Sequence, residues 1–71
     1  MRSDDATIDA YNKVGDKIGR LHDRMEAKRK EFNRTPDLER AQELQEMSIE
    51  MRGLLEESDK MMSRVLNIFG R

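Results

Sequence analysis

The chain has 71 residues, no cysteine, 41% charged residues and a formal net charge of -1. That length allows one small domain at most, and the missing cysteines exclude disulfides, thiolate metal sites and thiol catalysis. Fourteen basic against fifteen acidic residues produce no net field toward nucleic acid or an anionic membrane, and a mean hydropathy of -0.97 means that only a regular apolar pattern argues against disorder.

The opening decapeptide, MRSDDATIDA, lacks the apolar segment of a signal peptide. No run nears the roughly 20 apolar residues of a membrane span. The expected location is the cytoplasm, or outside it by a route that needs no cleaved signal. Ser3 is a suitable N-cap, with Asp4 and Asp5 in the first turn. From there Tyr11, Val14, Ile18, Leu21, Met25, Lys28 and Phe32 recur at spacings of three and four, the period of one helix face. A first helix is predicted over 3–33. Gly15 and Gly19 lie one turn apart within it. They either soften the helix, since each costs up to about 1 kcal/mol there, or form a small-residue notch for another helix.

The only proline stands in KRKEFNRTPDLER. Asn33 can take the left-handed conformation that ends a helix. Thr35 is a good cap, and Pro36 suits the first helical position, where its missing N–H costs nothing. Asp37 and Glu39 put negative charge in the first turn, and Lys28, Arg29, Lys30 and Arg34 put positive charge at the end of the preceding helix. The turn is therefore predicted at 33–36. A connection that short makes the two helices antiparallel neighbours.

The second helix is predicted over 35–69, ended by Gly70. Leu44, Met47, Met51, Leu54, Ser58, Met61, Val65 and Ile68 continue the same alternation. Ala41, Ser48, Leu55, Met62 and Phe69 recur every seven residues beside them. This is heptad patterning of the coiled-coil kind. Each helix should be roughly 45–50 Å long. The fold class is all-α, an antiparallel helical hairpin forming a single domain over 1–71.

Charge supports the hairpin. Residues 17–34 carry seven bases and three acids, and 37–59 carry two bases and eight acids. Residues 3–16 carry four acids and one base, and 60–71 carry three bases and no acid. Folding at Pro36 lays each block beside its opposite, which selects orientation although single surface pairs contribute only about 0–1 kcal/mol.

Two helices bury only the strip between them. The stripe of the second helix is wider than one partner covers, so a second contact surface is expected. The candidate interface is Leu44, Met47, Met51, Leu54 and Leu55, continued by Met61, Met62, Val65, Leu66, Ile68 and Phe69. Its expected partner is another copy of the chain or another helical protein, giving a homo-oligomer or a mixed complex. The methionines suit an adaptable interface or serve as ordinary core filler.

Other constellations are weaker. His22 has Glu26 one turn on, but one His and one Glu are too few ligands for a stable metal site. Glu39, Glu43, Glu46 and Glu50 form an acidic row with no Glu-x-x-His to complete a di-metal bundle. They read as a solvated face or one paired to the basic helix. Lys17, Arg20, Arg24, Lys28, Arg29 and Lys30 form a basic face that a nucleic acid could contact. Helix-end charge and pairing with the acidic helix is the simpler reading. Asn33-Arg34-Thr35 matches the glycosylation triplet, but capping accounts for both polar residues. No catalytic set and no Gly-rich phosphate loop occurs, so no enzyme and no cofactor are expected.

The stretch TPDLERAQELQEMSIEM followed by MMSRVLNIFGR resembles the needle and inner-rod subunits of bacterial type III secretion apparatus, over residues 33–71. Those proteins are small helical hairpins. In that likeness Pro36 is the turn, Gln42 or Gln45 with Ser48 are the polar positions, and Val65, Leu66, Ile68 and Phe69 are the packed tail. The small chaperones of the same apparatus are hairpins as well. The resemblance implies self-assembly into a helical tube, signal-independent export and no chemistry. The alternative is a dimeric four-helix bundle that binds nucleic acid or regulates an enzyme through the basic face.

Overall fold

The computed structural model describes residues 3–70. It consists of α1, Ser3–Arg34, and α2, Leu38–Phe69, which pack against each other. The architecture is an all-α antiparallel helical hairpin with extents of 52 × 17 × 15 Å. Each helix has 32 residues, close to the long dimension at a rise of about 1.5 Å per residue.

The seam follows the three-four alternation. Val14 and Leu21 are buried, at 3% and 2% exposure. Tyr11, Ile18, Met25, Lys28 and Phe32 are half-buried, as are Leu44, Met47, Met51, Leu54, Ser58, Met61, Val65 and Ile68. No side chain of α2 is fully buried. One partner helix shields only part of each seam residue, and no third layer covers the rest.

The turn differs from expectation in three ways. Asn33 is helical, and no residue among those described, glycine included, has a positive φ. Thr35 closes α1 rather than opening α2: its N–H donates to the Glu31 carbonyl at 2.9 Å. Pro36 has no N–H and disfavours helix at the preceding residue, so the chain leaves α1 there. Asp37 is the true cap, extended at φ -151, ψ 169, and its Oδ1 accepts from the Arg40 N–H at 2.8 Å. Its Oδ2 takes the Arg40 guanidinium. Thus α2 begins at Leu38, not at 35, and Pro36 precedes the cap instead of starting the helix. The capping expected of Ser3 concerns a side chain outside those described.

The far end of α2 closes as expected. Gly70 is its C-cap, and its N–H donates to the Leu66 carbonyl at 2.8 Å. A Cβ there would stand 3.0 Å from that same oxygen.

Candidate interaction face

The hairpin has two unlike sides. On one, Lys17, Arg20, Asp23 and Arg24 of α1 border an open groove with Glu50 of α2, over Leu21 and Leu54. Arg24 reaches Glu50 across the seam at 3.6 Å. On the other side, His22, Glu26 and Arg29 share a groove with Met25, Leu44 and Ser48.

Lys28 occupies a seam position, and its side chain is 24% exposed. Its Nζ lies 2.7 Å from Glu43 of α2 and 3.2 Å from Glu31 of its own helix. The hydrogen bond to Glu43, then that to Glu31, raises its pKa above the ordinary 10.5. A charged side chain in a largely apolar seam fixes the alignment of two helices, because only one register gives it partners. Its position among apolar residues spaced three and four apart was the sequence signal for this role.

The expected basic face is therefore partly neutralised. Lys28 holds Glu43 and Glu31, Arg24 holds Glu50, and Arg29 pairs with Glu26. Lys17, Arg20 and Lys30 form no ion pair among the described residues. The acidic row divides likewise: Glu43 and Glu50 join α1, whereas Glu39 and Glu46 face solvent. His22 lies 3.8 Å from Asp23, and Glu26 pairs with Arg29. No group of three or more His, Cys, Asp or Glu placed to hold a metal occurs among the described residues. None of the described helices is long and apolar enough to cross a membrane.

The candidate interface splits in two. Leu44, Met47, Met51, Leu54, Met61, Val65 and Ile68 are half-buried along the seam, and Met62 is half-buried beside it. Leu55, Leu66 and Phe69 remain open, at 49%, 61% and 72% exposure. Two further exposed apolar residues, Leu38 at 73% and Ile49 at 58%, lie off the heptad stripe, so periodicity did not single them out. A Cβ added at Gly15 or Gly19 would meet nothing within 4 Å. Packing inside the hairpin makes no demand for glycine at either position.

Searches against known protein families, curated proteins and solved structures returned no match to this chain.

Proposed function

We propose that the protein is a non-enzymatic structural subunit that associates with copies of itself through the apolar face of α2. The observation that carries this reading is the open row of Leu55, Leu66 and Phe69 beside a seam in which only Val14 and Leu21 are buried. A contiguous apolar surface rimmed by charge is the mark of a contact site. A hairpin with so small a core gains stability by covering it. The resemblance of residues 33–71 to secretion-apparatus needle and inner-rod subunits supports the same reading, since such hairpins act by assembling. The groove beside Leu21 and Leu54 is open, and Arg24 and Glu50 on its rim already pair with each other, which favours contact over catalysis.

Light scattering across a concentration series tests it. The mass should rise above the 8.4 kDa of one chain as concentration increases, and 8.4 kDa throughout would remove the reading. Salt separates it from nucleic-acid binding by the basic face. Association through apolar surface persists or strengthens with salt, whereas phosphate contacts weaken steeply.

A further inference from the structure

Of the exposed apolar residues, Leu55, Leu66 and Phe69 lie toward the chain-end half of α2, whereas Leu38 stands alone beside the turn and Ile49 on another face. Ser48 and His22 border the same groove. Every seventh residue after Ser48 is Leu55, Met62 and Phe69; every seventh before His22 is Gly15 and Ile8. Both helices therefore contribute to one continuous face. Its half nearer the turn is polar, with His22, Glu26 and Arg29. Its half nearer the chain ends is apolar, with Leu55, Met62 and Phe69 joined by Leu66.

We infer that this far half docks on the same half of a second copy, with the hairpins side by side, both turns at one end and the twofold axis along their length. The inference rests on the self-association reading above and names its geometry. Three observations select the occupant and its orientation.

The first is area. A compact monomer of 8.4 kDa exposes about 4,600 Å² by the usual size scaling. This chain exposes 5681 Å², a surplus of about 1,100 Å² over that scaling. A standard twofold contact covers about 800 Å² on each partner, so one further copy accounts for most of the surplus.

The second is apolar matching. With the turns at one end, the apolar half of the face, which holds Leu55, Leu66 and Phe69, meets the apolar half of the other copy's face. With full overlap in the opposite orientation they would cover its His22 and its Glu26–Arg29 pair, stripping water from charged groups and giving them no new partner.

The third is charge. Side by side, each α1 lies between its own α2 and that of the other copy, at the same height. The basic block 17–34 then flanks two acidic blocks 37–59, and the acidic start 3–16 flanks two basic tails 60–71. The complementarity that orients the hairpin is thus used twice.

The chain has no cysteine, so a Thr35→Cys variant carries a single spin label at the exposed turn. Electron–electron distance measurement should find the two labels of a pair on the order of 20 Å apart, the width of two helices. A separation near or beyond the 52 Å length of the hairpin overturns the orientation and leaves self-association standing. The mass should plateau at twice 8.4 kDa; a larger plateau overturns the closed pair but not self-association. A double Leu55→Glu, Phe69→Glu variant should return the mass to one chain with helix content kept, because both side chains are exposed in the hairpin. Wild-type mass in that variant overturns the choice of face. Ile49→Glu, about 100° round the helix from Ser48, should keep the wild-type mass, and a monomer there also overturns it. A wild-type chain that stays at 8.4 kDa at every concentration ends the self-association reading itself.

Discussion

Asp37 is a small example of one side chain doing two jobs. One oxygen satisfies an N–H that the first turn of α2 leaves without a backbone partner, and the other takes the charge of Arg40. Asp37→Ala should cost about 1 kcal/mol of helix stability, read as a lower urea midpoint with an unchanged m-value. Leu21 is at the opposite extreme of burial, at 2% exposure. Leu21→Ala should cost about 2–5 kcal/mol, enough to unfold a chain of this size when measured by circular dichroism at low concentration. Gly15 and Gly19 have open space where a Cβ would go, so alanine at either should stabilise the hairpin by about 1 kcal/mol or less. Thermal unfolding of dilute protein checks this, and a loss of association in the same variants would show that the notch serves the second copy.

The pH response of Lys28 also belongs at this scale. Its folded pKa is raised, so the stabilisation it contributes is complete below the ordinary 10.5 and is lost as pH climbs through the raised value. The stability difference between wild type and Lys28→Met should therefore change across that alkaline range. It should stay flat at neutral pH, where the lysine is fully charged.

At the scale of elements, the two helices were readable from spacing alone. Fifteen seam positions, Tyr11 to Phe32 and Leu44 to Ile68, were picked out by three-four alternation, and all are buried or half-buried. The turn was readable only in part. Thr35 and Asp37 are both good caps, and the choice between them depends on how far α1 runs. The Glu31 carbonyl takes the Thr35 N–H and carries α1 to Arg34, so Asp37 inherits the cap. Composition cannot weigh one extra backbone hydrogen bond, from Thr35, against the proline that follows it. The spacing of Lys28 signalled its place in the seam, but its partners were hidden for a related reason. As sequence it belongs to a basic cluster, and only the fold brings Glu43 within 2.7 Å. Replacing Lys28 with methionine should leave neutral-pH stability equal or higher, because an apolar residue suits the seam. It should also loosen the alignment, broadening label-to-label distances between α1 and α2. The apolar stripe was legible as a candidate site, but its division into covered and open residues was not. That division depends on which flank of α2 faces α1.

At the scale of the whole molecule, the hairpin is long and thin, 52 Å by 17 Å by 15 Å. Such a shape has much surface and little interior. Its stability should therefore be tied to concentration, because a copy that binds only the folded state stabilises it by mass action. Thermal midpoints should rise with protein concentration for the wild type. They should become independent of it for the Leu55→Glu, Phe69→Glu variant.

The make-up of the seam has one further consequence. Five of the six methionines, Met25, Met47, Met51, Met61 and Met62, are half-buried along or beside it. A thioether that peroxide can reach becomes a sulfoxide, polar and stiff where the helices need something soft and greasy. Oxidant should thus pry the helices apart without cutting the chain, and methionine sulfoxide reductases should close them again. Loss and return of the helical signal, followed alongside the mass gain of each added oxygen, would trace that cycle.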